Sequence, residues 1–328
     1  MRGLDLFAGA GGWDIAARRL GWEMKGVEIW APANATAELN GYDTVAVSDT
    51  RVAVQPGRYR LLLASPPCQT YSMAGNGDGR LNLARVLAAV RSEHDISDLD
   101  SRTRLVLEPL RIALQSEPEF IAWEQVPAVL PIWEACAVVL RERGYSVATG
   151  VLNAEQYGVP QTRRRAVLMA RQNGVAELPA PTHSRYYPRD PQRLDACVKP
   201  WVSMAEALGW GMTESIEAVS NYGTGGDPRN RGTRHGGEPF STVTSKTDRV
   251  ILRANAQERS AVRESSEPAP TITGGHDYAD RVWLRRQQIL GKVTWQQAAA
   301  LQAFPADYRF AGNKGEVFQQ IGNAIPPM

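Results

Sequence analysis

Leu4-Asp5-Leu6-Phe7-Ala8-Gly9-Ala10-Gly11-Gly12-Trp13 is an apolar strand that runs into a glycine-rich turn, and the turn opens a helix-like segment from Asp14 to Leu20. A turn of this kind lets a ligand approach the backbone closely, because glycine adopts conformations that a Cβ forbids and the following helix offers free N–H groups. Val27-Glu28-Ile29-Trp30 follows as a second short strand, with its acid about 19 residues after Gly9. At that offset a Rossmann-like unit places a carboxylate on a ribose, so the spacing points to an adenosine-type cofactor. The glycines do not fit GxGxxG and no other glycine-rich turn supplies a diphosphate cradle, which sets a nicotinamide dinucleotide, and a dehydrogenase reading, behind that choice.

The alternation continues. Tyr42 to Val47 reads as a strand ending at Ser48-Asp49-Thr50, Tyr59 to Ala64 as the strand before Cys68, and Phe120 to Trp123 as the strand before Glu124-Gln125-Val126-Pro127. Ile132 to Arg143 has helical apolar spacing closed by Gly144, and Ser146 to Leu152 and Arg165 to Ala170 read as further strands. The pattern predicts a doubly wound α/β domain in which strand ends deliver polar groups to one edge. The segment from Ser72 to Ser101 begins Met73-Ala74-Gly75-Asn76-Gly77-Asp78-Gly79-Arg80, too glycine-rich for a core element, and reads as a mobile loop over the site.

Past Leu178 the prolines 179, 181, 188, 191 and 200 break the chain, and the region to about Val282 is rich in glycine, threonine and charge. A second domain is expected there. It carries a weak repeat: Glu238-Pro239-Phe240-Ser241-Thr242-Val243-Thr244 is echoed by Glu267-Pro268-Ala269-Pro270-Thr271-Ile272-Thr273. Asn221 to Gly237 is a Gly/Arg loop with Arg229, Arg231, Arg234 and His235, residues suited to following phosphates and reaching base edges, although a solvated surface loop has the same composition.

The 328 residues carry a net charge of +2, so any nucleic-acid surface must be a local patch. No apolar run approaches the roughly 18 residues of a membrane span, and the N-terminus enters a strand at once, so a cytoplasmic protein is expected. The three cysteines are far apart, without CxxC, and there are four histidines, a pattern that suggests neither a disulfide framework nor a zinc site. Cys68, in Ala64-Ser65-Pro66-Pro67-Cys68-Gln69-Thr70-Tyr71-Ser72, thus offers a reduced thiol at a strand's carboxyl end. A lone cysteine is more often a small buried hydrophobe than a nucleophile, so the rest of the chain must decide its role.

Asp5 to Trp13, Ser65 to Ser72, Trp123 to Pro127, Tyr157-Gly158-Val159-Pro160-Gln161-Thr162-Arg163-Arg164-Arg165, Leu301-Gln302-Ala303-Phe304-Pro305 and Gln320-Ile321-Gly322-Asn323-Ala324-Ile325-Pro326-Pro327 stand in that order. Across nearly the whole chain this series resembles the motifs of the DNA cytosine-5 methyltransferases of bacteria and phages. The resemblance implies a Rossmann-like, S-adenosylmethionine-dependent domain from residues 1–178 plus 284–328, with a smaller target-recognition domain inserted at 179–283. It also implies transfer of methyl from S-adenosylmethionine, leaving S-adenosylhomocysteine, to C5 of a flipped-out cytosine in double-stranded DNA, without a metal.

By the same resemblance Cys68 is the nucleophile that adds to C6, Glu124 the carboxyl at N3 and the exocyclic amine, and Arg163 and Arg165 lie near the flipped base and the backbone. Arg164 falls outside the motif's alternation. Phe7, Gly9, Gly11, Glu28, Ile29, Trp30, Asp49, Pro67 and Asn323 match cofactor positions, with Glu28 on the ribose, Asp49 near the adenine amino group, and Ile29 or Trp30 stacking. Ser72, Arg80, Arg229, Arg231 and Arg234 are expected on DNA. A monomer is implied, with a cognate restriction endonuclease a possible but unneeded partner. An RNA cytosine methyltransferase and a catalytically inactive DNA-binding relative share enough of the pattern to stand as alternatives.

Three positions depart from the family pattern: Gln125 for the usual asparagine, Ser48 for a glycine, and Gln297 for a glutamate. Relatives usually continue past the position of Pro327 into a helix beside the cofactor turn, and a chain lacking that helix is expected to lose cofactor affinity or stability.

Overall fold

The structure, a computed structural model, describes residues 1–46, 58–72, 77–91, 95–190, 192–209, 216–219, 232–245, 247, 251–255 and 287–327. Its main layer is a seven-stranded sheet of β1 (Arg2–Leu6), β2 (Glu23–Val27), β3 (Asp43–Val45), β4 (Leu61–Ala64), β5 (Phe120–Gln125), β6 (Ser146–Asn153) and β7 (Arg164–Arg171). The order β3-β2-β1-β4-β5-β7-β6 reverses beside β1. Pairing is parallel from β3 through β5, and β7 is antiparallel between β5 and β6. In such a sheet the crevice outside the strand carboxyl ends opens where the order reverses, here between the turns that follow β1 and β4.

Successive strand residues point to opposite faces, and both faces are covered. Leu4, Leu6, Leu62, Ala64, Ile121 and Trp123 face one core, while Leu63 and Ala122 face the other with Ala17, Trp13 and Trp22. The helices are α1 (Gly12–Arg19), α2 (Ala31–Leu39), α3 (Asp78–Leu81), α4 (Leu83–Arg91), α5 (Ser101–Arg104), α6 (Glu108–Ser116) and α7 (Leu130–Glu142). From α7, Ile132, Trp133, Cys136, Ala137 and Leu140 are fully buried, and the Trp133 ring meets Trp123 at 5.4 Å between centroids. Each large apolar side chain so buried stabilises the fold by about 1.5–3 kcal/mol.

In the segment read as a loop over the site, the described residues 78–81 and 83–91 are helical. Leu83, Val86, Leu87 and Val90 recur at i, i+3, i+4 and i+7, an apolar stripe that sends Val86 and Val90 into the main core. Gly79 sits inside α3 because Tyr71 fills the space beside it: a Cβ there would lie 2.6 Å from that ring. The glycine marks close packing rather than slack.

A second, four-stranded antiparallel sheet is built by β8 (Ile216–Val219), β9 (Thr233–His235), β10 (Ile251–Asn255) and β11 (Gln287–Lys292), in the order β11-β10-β8-β9. Of the repeat noted in the sequence, the first copy, Glu238 to Thr244, is described and the second lies outside the described residues. The chain then returns to the main sheet through the helices Trp295–Leu301 and Lys314–Asn323. Each begins with a capping box, Thr294 with Gln297 and Asn313 with Glu316, so Gln297 satisfies the helix start as a glutamate would. Phe240, Val243, Leu252, Leu301, Phe304, Phe318 and Ile321 form one apolar cluster with Ile15. No helix among the described residues is long and apolar enough to cross a membrane.

Candidate active site

The turns after β1, β4 and β5 and the start of β7 enclose a cavity of about 980 Å³. Cys68, Glu124, Arg163 and Arg165 line it, together with Phe7, Gly9, Glu28, Ile29, Trp30, Pro67 and Asn323. Gly11 stands in the same turn as Gly9, with φ +79° and +56° respectively. Ser72, Arg80 and Arg234 lie outside the cavity lining, and Asp49, Arg229 and Arg231 lie outside the described residues.

The Cys68 turn is fixed from several sides. The Cys68 carbonyl accepts the N–H groups of Tyr71 and Ser72 at 3.0 and 2.8 Å. Gln125 Nε2 donates to the Pro66 carbonyl at 2.5 Å, and its Oε1 accepts the Val126 N–H, so the longer amide at this position reaches the turn directly. Trp13 Nε1 donates to Ser65 Oγ at 3.0 Å and thereby joins the two turns of the crevice. Arg80 Nη1 donates to the Tyr71 carbonyl at 3.1 Å and to that of Ser72, bracing the far side of the turn.

Glu124 is next to last in β5, almost wholly buried, and Arg165 Nε stands 2.5 Å from its Oε1. Arg163, just before β7, and Arg165, within it, both line the cavity, whereas Arg164 between them is exposed. Arg163 is 2% exposed, and its Nη1 donates to the carbonyls of Gly322 and Val243 at 3.1 and 3.4 Å. Burial, reinforced by the neighbouring Arg165, lowers the Arg163 pKa to about 9. Burial pushes the Cys68 thiol up; Arg165 and Arg163 oppose that rise and Glu124 adds to it. Cys68 at rest is therefore a thiol flanked by guanidinium charge that favours its thiolate.

At the other end of the cavity the Glu28 carboxylate accepts the Gly9 N–H at 2.9 Å and the Trp30 N–H at 2.7 Å. A carboxylate has about four lone-pair sites, so acceptor capacity remains on both oxygens for the two hydroxyls of a ribose. Ile29 is 67% exposed and Trp30 half-buried, both on the wall. A Cβ on Gly12 would lie 2.5 Å from the Ile325 carbonyl oxygen, so the C-terminal segment closes directly over the turn. The Tyr308 hydroxyl donates to the Ala10 carbonyl at 2.5 Å, and Arg19 Nη1 to that of Pro327 at 3.0 Å. Left-handed glycines, a backbone lid and an acid with spare acceptors fit an adenosine-bearing cofactor.

Three features of the site went unread in the sequence. Asp5 and Asp14 are buried beneath the turn, and none of their carboxylate oxygens has a hydrogen-bond partner. Burial raises the Asp14 pKa to about 7, against Arg18, and raises Asp5 well above the carboxylate range. Gln161 and Gln302 bond one another, with Gln161 also reaching Leu301 O and Val243 N, and Gln302 the Ala324 carbonyl. Ser101, Arg102, Arg104 and Arg111 wall the cavity from the start of α5 and from α6. The Ser101 to Arg111 run, with its arginine spacing, was the available signal for the last of these. Among the described residues no group of His, Cys, Asp or Glu could hold a metal ion.

The family model for C-5 cytosine-specific DNA methylase matches residues 1–328. The chain belongs to the C-5 cytosine-specific DNA methylase family. It is 25% identical over 99% of its length to the type II methyltransferase M.HgiDI of Herpetosiphon aurantiacus, covering 90% of that protein. To the type II methyltransferase M1.HphI of Haemophilus parahaemolyticus it is 27% identical over 99% of its length and 83% of that protein. Spodoptera frugiperda DNMT2 shares the fold, with a TM-score of 0.60 at 15% identity, over 99% of this chain and 96% of that one. The methylase is thus a DNA cytosine-5 methyltransferase with a Rossmann-like α/β fold.

Proposed function

We propose that this methylase transfers the methyl group of S-adenosylmethionine to C5 of a cytosine rotated out of a specific duplex DNA sequence, through a covalent bond between Cys68 and C6. The observation that carries the reading is the convergence of Cys68, Glu124, Arg163 and Arg165 on one cavity whose far end is the Gly9 and Glu28 turn.

Cytosine C5 is too weak a nucleophile to attack a sulfonium methyl unaided. Addition of the Cys68 thiolate to C6 moves electron density onto C5. Glu124 shares a proton with N3 and accepts from the exocyclic amine, which relieves charge on the ring and distinguishes cytosine. Arg165 keeps the Glu124 carboxyl aimed and, with Arg163, favours the Cys68 thiolate as it forms. S-adenosylmethionine supplies the methyl group. Loss of the C5 proton to a base and departure of the thiolate close the cycle, and a thiolate both adds and leaves more readily than an alkoxide near neutral pH.

Phe7, Gly9, Gly11, Glu28, Ile29, Trp30, Pro67, Asn323 and Asp49 bind the cofactor in this reading. Ser72, Arg80, Arg229, Arg231 and Arg234 serve the DNA. The catalytic domain comprises 1–178 plus 284–328 and the target-recognition domain 179–283, the strand Gln287–Lys292 completing the smaller sheet. The protein acts as a cytoplasmic monomer.

Bisulfite sequencing of a plasmid from cells expressing the protein, compared with Cys68→Ser, tests the proposal. One cytosine protected within a fixed sequence, and lost in the variant, is the expected result. Full conversion in both samples, with methyl transfer to RNA instead, would make the enzyme an RNA methyltransferase.

A further inference from the structure

Some surface arginines of the large domain are committed to acids. Arg60 pairs with Glu119, Arg85 with Asp98, and Arg102 with Asp100. Arg185, Arg189 and Arg193 differ: all three are exposed, and none forms an ion pair among the described residues. They stand on one excursion of the chain whose base is closed by backbone bonds from Ser184 N to Lys199 O at 2.7 Å and from Lys199 N to Thr182 O at 3.1 Å.

The excursion is ordered around Tyr187 and Asp195. Tyr187 donates its hydroxyl to Asp195 Oδ1 at 2.6 Å, and Asp195 Oδ2 accepts the Arg185 N–H at 2.9 Å. Asp195 is thus occupied in holding the loop. Arg193 lies over the Tyr187 ring with its guanidinium carbon 4.0 Å from the centroid, and Arg185 stands 5.8 Å from it. A guanidinium stacked on a ring keeps its in-plane N–H groups free and has already lost rotamer freedom. Such a group is prepared to bind a phosphate oxygen with little further ordering.

The loop is rooted beside the active site. The Arg234 guanidinium stacks 4.5 Å from the Tyr186 centroid and reaches Thr162 Oγ1 at 3.5 Å, next to the cavity residue Arg163. Thr182 and His183 donate their N–H groups to the Gln156 carbonyl, at the approach to β7. The exposed Arg164 starts that strand and extends the positive charge toward the cavity edge.

We propose that Arg185, Arg189 and Arg193 form a preorganised grip on the phosphate backbone of duplex DNA beside the target base, contributing affinity without sequence preference. The inference rests on the DNA-methylase reading and adds to it a contact surface separate from the cavity and from Asn221 to Gly237. With a net charge of only +2, the protein must draw its attraction to DNA from such local clusters.

The test is fluorescence anisotropy with a labelled mixed-sequence duplex across a salt series, using the full chain. Each phosphate contact contributes about 0.9 to the slope of log affinity against log salt. Arg185→Gln/Arg189→Gln/Arg193→Gln is expected to flatten the slope by about 2 to 3, Arg189→Gln alone by about 1, and the triple lysine variant very little. S-adenosylmethionine affinity is expected to stay within about twofold of wild type in all of them, which establishes folding. A well-folded triple glutamine variant with the wild-type slope overturns the grip while leaving the DNA reading intact. A wild-type protein that binds structured RNA but not duplex DNA overturns both.

Discussion

Arg165 Nε meets Glu124 Oε1 at 2.5 Å across adjacent antiparallel strands, with Cys68 in the same cavity. The pair orients a buried carboxyl toward the space a base would fill, and the same guanidinium favours the Cys68 thiolate. Removing one partner of a buried pair leaves the other charge uncompensated, at about 3–5 kcal/mol. Arg165→Met is therefore expected to lose stability on that order in denaturant unfolding, and Glu124→Gln/Arg165→Met to recover most of it. Both are expected to lose activity. Glu124→Gln alone should reduce kcat about 10²–10⁴-fold, the range for a positioned acid or base; turnover in the double variant approaching wild type would remove Glu124 from the chemistry.

Thiol alkylation followed by mass spectrometry should rank the three cysteines. Exposed Cys197 reacts first, half-buried Cys68 second, and Cys136, fully buried with its thiol pushed up to about 12, last. The Cys68 rate is expected to climb with pH beyond the usual thiol range, and Arg165→Gln to slow it at any given pH. Cys68 labelling ahead of Cys197 at neutral pH would contradict the burial argument.

Gln125→Ala withdraws the donor to Pro66 and orphans a buried carbonyl, which costs about 1–3 kcal/mol. The Cys68 turn should loosen with it. A fall in kcat greater than any rise in KM for the cofactor is expected, and equal kcat in variant and wild type would show that the turn holds without this bond.

Asp14 carries a pH dependence of definite sign. Its folded pKa is raised to about 7 by burial, so between the unfolded value and 7 the folded state holds a proton that the unfolded chain has lost. Stability from this group is complete at acid pH, falls as pH climbs toward 7, and then levels off. A rise of about three units, at about 1.4 kcal/mol each, amounts to about 4 kcal/mol. Asp14→Asn should be more stable than wild type at pH 8 and similar near pH 4; a constant difference across that range would rule out titration of Asp14 as the cause.

The parallel strands were legible because each is a short apolar run ending in a polar turn, and the Cys68 and Glu124 turns stand where those runs end. The segment after Ser72 was not, because Gly75, Gly77 and Gly79 dominate its start and mask the stripe Leu83, Val86, Leu87 and Val90. Glu28 was found by its offset from Gly9, and the hydrogen bond between them accounts for that offset. The buried carboxylates of Asp5 and Asp14 had no local signal, since their burial is a matter of tertiary packing, with Tyr308 among the groups near Asp14. Arg234 was chosen for its charge, and its packing on Tyr186 is a matter of tertiary contact.

Tyr308, Ile325 and Pro327 touch Ala10, Gly12 and Arg19, so the first turn of the chain is finished by some of the last residues described. A ribosome delivers these partners in sequence, and the turn waits about 300 residues for its lid. Closing so long a loop is slow and comes late in folding. A nascent chain therefore gains a closed glycine turn only after Tyr308, Ile325 and Pro327 have left the ribosome.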